Sequence, residues 1–123
     1  MRSRSIKTLV AAGVCCALVI PGIAAADHHA ATTVTIKGTG DIYGYVKSPK
    51  PKKCAKNRKV KVYKQKGSQQ KPKSDKVVGT DTAERNGDRY QWSVGNPGVS
   101  GKIYARAGKT PDCKADSSNT INV

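Results

Sequence analysis

The sequence contains no phenylalanine, one tryptophan and five tyrosines in 123 residues. A chain so poor in large apolar side chains can build only a thin core. High net charge with low hydrophobicity also opposes collapse. Acids are scarce: 8 Asp and Glu stand against 23 Lys and Arg, a formal net charge of +15. Histidine occurs only at His28 and His29, ahead of the first predicted strand. No Ser-His-Asp or Cys-His arrangement can therefore be assembled within the folded part. There is no phosphate-cradling glycine loop. The acids after Asp27 lie nearly all in turns, where Asp side chains bond local backbone. These absences exclude the usual enzyme signatures, and no catalytic residue is expected.

Long apolar runs are missing too, except at the start. "MRSRSIK" is basic, "TLVAAGVCCALVI" is uncharged and apolar, and "PGIAAAD" offers the small pair Ala24 and Ala26. In that order they read as a secretory signal peptide over residues 1–26. A spanning helix wants about 20 apolar residues, so no membrane segment is expected to be retained. Val14 before Cys15 does not fit a lipoprotein signal. Cleavage after Ala26 removes Arg2, Arg4 and Lys7. Lys plus Arg then falls from 23 to 20 and net charge from +15 to +12. Residues 27–33 are expected to be a flexible mature terminus and residues 34–123 one domain with a modest core.

Cys15 and Cys16 leave with the signal peptide, and Cys54 and Cys113 remain. An even pair in an exported chain is most simply a disulfide. Free thiols or an intermolecular bridge are the other options.

Helical periodicity is absent and period-two alternation recurs. "TTVTIKG" puts Val34 and Ile36 on one face. "DIYGYVKS" puts Ile42, Gly44 and Val46 on one face and Tyr43 and Tyr45 on the other. "RKVKVYKQ" turns Val60 and Val62 inward and Lys59, Lys61 and Tyr63 outward. "DKVVGTDT" is a short strand through Val77 and Val78. "RYQWSV" aligns Tyr90, Trp92 and Val94. "KIYARAG" sets Ile103, Ala105 and Ala107 against Tyr104 and Arg106, and "TINV" closes the chain. Turn-rich segments separate these runs, and Asn86-Gly87 favours a tight hairpin. The pattern predicts a single antiparallel seven-stranded Greek-key β-sandwich. Trp92 reads as core, with a sugar platform as the lesser reading.

"GYVKSP", "KNRKVKVYK", "VVGTDTAERNGDRYQWSV" and "GKIYARA" together resemble the transthyretin-like fold, the group of carboxypeptidase regulatory-like and prealbumin-like secreted domains. Gly44 and Val46, Val60 and Val62, and Thr80 and Asp81 fall on its pattern. Asp88 and Arg89 add a residue between Gly87 and Tyr90. The resemblance spans Lys37 to Val123 and extends to short basic secreted proteins of Gram-positive bacteria that carry two cysteines. It implies a fold and no activity. An immunoglobulin-like sandwich is the structural alternative.

Charge is what the chain has in excess, and it is concentrated. Lys47 to Lys76 holds 13 cations and one acid, Asp75. The rest of the mature chain is balanced. Alternation sends Lys59 and Lys61 to one face beside the loop carrying Lys50, Lys52, Lys53, Lys56 and Arg58. Those seven residues are the expected site for an extracellular or cell-envelope polyanion, such as teichoic acid in a cell wall, drawn by long-range attraction and counterion release. Cys54 would pin the loop to Cys113. Solvation and protection of strand edges by lysine is the plain alternative. A structural or protein-interaction module with no polyanion ligand is the functional alternative. Sequence-specific nucleic-acid recognition is not expected in an exported chain with no recognition helix. A secreted or cell-wall-associated monomer is expected. Cleavage after Ala26 would also leave Asp27-His28-His29 at the terminus. Its α-amine, two backbone amides and the His29 imidazole make a four-nitrogen, square-planar set for Cu(II) or Ni(II).

Overall fold

Two antiparallel sheets face each other across one core. The structure is a computed structural model and describes residues 29–123. The expected signal peptide, the expected cleavage after Ala26 and two of the three expected copper-binding residues, Asp27 and His28, lie outside the described residues.

The elements in chain order are β1 (Thr33–Val34), β2 (Ile42–Lys47), α1 (Pro51–Cys54), β3 (Lys59–Lys64), β4 (Lys76–Thr82), β5 (Glu84–Asn86), β6 (Arg89–Gly95), β7 (Lys102–Ala107), β8 (Asp116–Ser117) and β9 (Ile121–Asn122). One sheet has the order β1-β2-β6-β5. The other has the order β9-β7-β3-β4, with β8 also paired to β7. Strands β3 to β6 run consecutively round one edge of the sandwich, because the chain changes sheet at Ala83 between β4 and β5. Strand β7 then returns past them to pair with β3, which is a Greek-key return. Among the described residues there are nine strands, not the expected seven. The two extra ones, β5 and β8, are very short. They lie in polar segments where alternation gives no signal, and pairing with β6 and β7 creates them.

The core follows the alternation. Val34, Ile36, Ile42, Val46, Val60, Val62, Ile103, Ala105, Ala107 and Trp92 are all buried. Trp92 is fully enclosed, which rules out a sugar platform there. Gly44 lies opposite Trp92 in the β2–β6 ladder. A Cβ on Gly44 would meet the Thr35 carbonyl oxygen at 1.8 Å and Trp92 Cζ2 at 2.8 Å. The glycine thus clears room for the one large aromatic of the core. The β5–β6 hairpin pairs Asn86 with Arg89, so the loop residues are Gly87 and Asp88. Gly87 takes the positive φ of 67° that this tight turn requires.

Two expectations need correction here. The fold takes in the residues just before 34: Ala30 N donates to Asp112 O and Lys114 N donates to Ala30 O, and Thr32 is buried. The supposedly flexible segment is therefore partly a strand partner of the Cys113 region. Tyr63 and Tyr104 do point outward from β3 and β7, yet both are buried. The segment from Gln65 to Asp75 folds over them. Asp75 accepts hydrogen bonds from Tyr104 Oη at 2.6 Å, Lys71 N at 2.7 Å and Lys66 N at 3.1 Å. Gln70 Nε2 donates to Ser118 O and Thr120 Oγ1, which ties the same segment to the chain end.

Candidate anion-binding groove

The site begins with Pro51, which starts the single turn of α1. Cys54 ends that turn and is bonded to Cys113, with the two Cα atoms 5.6 Å apart. Asn57 then takes a left-handed φ of 57°, a conformation Asn tolerates better than most residues. This turn directs the chain into β3. The disulfide closes a span of 59 residues and fixes α1 against the 108–114 segment.

Arg58 does a second part of that fixing. The sequence placed it among the exposed ligands of a polyanion. It is instead buried, 4% exposed. Its Nη1 donates to Thr32 Oγ1 at 3.1 Å and Cys54 O at 2.8 Å. Its Nη2 donates to Gly108 O at 2.7 Å and Lys114 O at 2.8 Å. Thr32, the α1 turn and the 108–114 segment meet on one guanidinium, whose planar fork suits several acceptors at once. Burial pushes its pKa down from the ordinary value, and arginine still stays charged in proteins. Four of its five N–H groups are spent on this task, so Arg58 braces the site instead of serving as an exposed ligand. Counting back by two from Val62 and Val60 already puts Arg58 on the inward face, a signal masked by the lysines around it.

Above the hub lies a groove of about 540 Å³ over the outer face of the five-stranded sheet. Its cationic walls are Lys53, Lys56, Lys59, Lys61, Arg106 and Lys109, and the buried Arg58 contributes to its floor. Asp112 is the one acid in its lining. Lys53 and Lys56 come from α1 and the turn after it, Lys59 and Lys61 from β3, Arg106 from β7, and Lys109 from the loop that follows. Of the seven sequence-expected ligands, Lys53, Lys56, Lys59 and Lys61 are exposed and meet in this groove. Lys50 is exposed and Lys52 lines a different hollow.

Arg106 and Lys109 are the residues the sequence missed. Both lie outside the Lys47–Lys76 run, in the part of the chain whose charges balance. The β3–β7 register puts Lys61 directly opposite Arg106. Like charges in that position destabilise a sheet. Arg106 Nη1 donates to Ser117 Oγ at 2.8 Å, which holds its guanidinium by one edge. Alternation in "KIYARA" already turned Arg106 outward. Only the non-local pairing of β7 with β3 puts it beside Lys61.

Edge protection does not account for these lysines. Strand β3 lies inside its sheet, and Lys61 pairs with Thr80 of β4 on one side and Arg106 on the other. Lysines that blunt edges belong on outermost strands.

Of the expected copper-binding residues, only His29 is described, at the entry to the Ala30–Cys113 bridge. Among the described residues no three His, Cys, Asp or Glu side chains cluster in a way that could hold a metal. None of their helices is long and apolar enough to cross a membrane. No protein-family model, curated protein or solved structure matches this chain.

Proposed function

We propose that this domain is a secreted, non-enzymatic binding module that holds an extracellular or cell-envelope polyanion in the groove over β3 and β7. The observation that carries this reading is the Lys61–Arg106 pair. It sets two cations opposite each other inside a sheet, within a concave surface to which Lys53, Lys56, Lys59 and Lys109 add charge and Asp112 is the one acid. An anion seated there relieves the repulsion. The disulfide and Arg58 brace the groove from below, so the cations are held near one another before a ligand arrives. That preorganisation lowers the cost of binding. The disulfide also suits an oxidising, exported setting. The transthyretin-like resemblance belongs to the same reading: Gly44, Val46, Val60, Val62, Thr80 and Asp81 all fall within β2, β3 and β4.

Retention on immobilised teichoic acid or heparin tests it. Six groove cations meeting a flexible polyanion give a log affinity that falls with log salt at a slope of about −4. Changing Lys53, Lys56, Lys59 and Lys61 to Glu should abolish retention while circular dichroism stays native. The control set Lys37, Lys66, Lys76 and Lys102, exposed and outside the groove, should lose much less when changed to Glu. Equal losses from the two sets would leave net charge alone as the cause and overturn a localised site. No retention of the wild type at low salt would favour a structural or protein-interaction module.

A further inference from the structure

The basic surface continues past the groove. Lys52 and Lys53 are neighbours on α1, yet they line different hollows. Lys53 belongs to the groove over the five-stranded sheet. Lys52 belongs to a second hollow of about 650 Å³ on the far side of α1. That hollow adds Lys47, Arg85 and Arg89 from β2, β5 and β6 of the other sheet, with Asp88 as its one acid. All four cations are exposed. Two of them are held in place: Arg85 Nε donates to Gly87 O at 2.9 Å, and Arg89 lies 4.8 Å from the centre of the Tyr45 ring. At its opposite end the groove shares Tyr63 and Arg106 with a third hollow that brings in Lys71 and Lys73. Three cationic hollows thus follow one another, and α1 is the ridge between the first and the second.

We propose that these hollows form one track for a flexible linear phosphate polymer, which crosses α1 from the outer face of one sheet to the other sheet. This rests on the polyanion reading above and narrows its ligand class. A helix with side chains is about 10–12 Å across, so a chain following the track bends sharply over a narrow ridge. Duplex DNA stays straight over about 50 nm and cannot do so. The track is mostly lysine, a point charge without the planar fork that reads one headgroup. It recognises charge spacing along a chain, and each hollow adds a contact to a ligand already tethered in the next.

The test uses inorganic tripolyphosphate, which fits one hollow, and long-chain polyphosphate, which spans several. The variant changes Lys47, Lys52, Arg85 and Arg89 to Gln, all outside the groove. Titration calorimetry should show the affinity of the groove for tripolyphosphate unchanged. Long-chain affinity should fall about a hundredfold, the scale of a lost linked contact. Its salt slope should become shallower by about 3, for four cations at the single-strand coefficient. Long-chain binding unaltered in the variant would overturn the track while leaving the groove intact. Duplex DNA bound by the wild type as tightly as polyphosphate would also overturn it. Wild-type protein that binds neither phosphate chain at low salt would overturn the groove reading itself.

Discussion

Arg58 and Asp75 are buried charges of opposite sign, each just before a strand of the five-stranded sheet, and they are held in opposite ways. Arg58 gathers three backbone carbonyls and the Thr32 hydroxyl. Asp75 gathers two backbone N–H groups and the Tyr104 hydroxyl. Each fastens a loop to the sheet by using backbone dipoles as its counter-charge. The surroundings differ. Asp75 sits in a strongly cationic chain whose field favours a carboxylate, and Lys66 adds to that effect. Arg58 sits in the same field with the wrong sign, beneath a groove walled by lysines. Desolvation and repulsion both oppose it. The covalent bond is at Arg58's end: Cys54, whose carbonyl Arg58 holds, is bonded to Cys113. In this domain the buried cation is paired with a staple and the buried anion needs none.

That contrast can be broken most forcefully at the staple. Changing Cys54 and Cys113 to Ser should lower stability by about 4 kcal/mol, from the loop it closes; urea denaturation measures it. Arg58→Ala comes next, at about 3 kcal/mol, because carbonyls of Cys54, Gly108 and Lys114 lose their donor inside the fold. Both changes loosen the junction between residues 54–58 and 108–114. The triple variant should therefore lose less than the sum of the two. Strict additivity would mean that the staple and the guanidinium act independently.

The anionic hub should respond to pH rather than collapse. The Tyr104 hydrogen bond, then the Lys71 amide, hold the Asp75 carboxyl below its ordinary pKa. A depressed folded pKa contributes stability that is present above the unfolded value of about 4 and lost as pH falls through the folded pKa. Asp75→Asn should therefore lower the melting temperature at neutral pH, by less than Arg58→Ala does, and flatten the acid limb of the stability curve. An unchanged acid limb would show that Asp75 does not anchor the loop. Burial, and then the Asp75 bond, push Tyr104 well above the ordinary tyrosine pKa. A raised folded pKa contributes stability that is full below about pH 10 and lost above it. Tyr104→Phe should remove that alkaline loss, which thermal melts at increasing pH would read.

The smallest effect separates the two hubs by function. Asp75→Asn should leave the salt slope of tripolyphosphate binding in the groove unaltered, since Asp75 is buried and outside the groove. Arg58→Lys keeps the charge but loses the fork, and should weaken retention modestly as the groove walls relax. A larger binding loss in Asp75→Asn than in Arg58→Lys would reverse the roles given to these two residues.

What the sequence alone determined is what a strand's own periodicity carries. The inward Val60, Val62, Ile103, Ala105 and Trp92 were legible because a two-residue repeat sorts side chains between faces before any partner is chosen. So were the exposed Lys59 and Lys61. The Cys54–Cys113 link was legible because only two cysteines remain after the apolar leader. The tertiary structure decided what depends on which strand lies beside which. It set Arg106 opposite Lys61, brought Lys109 to the same groove, made short strands of polar β5 and β8, and folded the 65–75 segment over Tyr63 and Tyr104. It also supplied Arg58 with its acceptors, since the two-residue repeat that puts Arg58 on the face of Val60 and Val62 does not say what a guanidinium will find there. Those acceptors come from residues 32, 54, 108 and 114, which only the folded chain brings together.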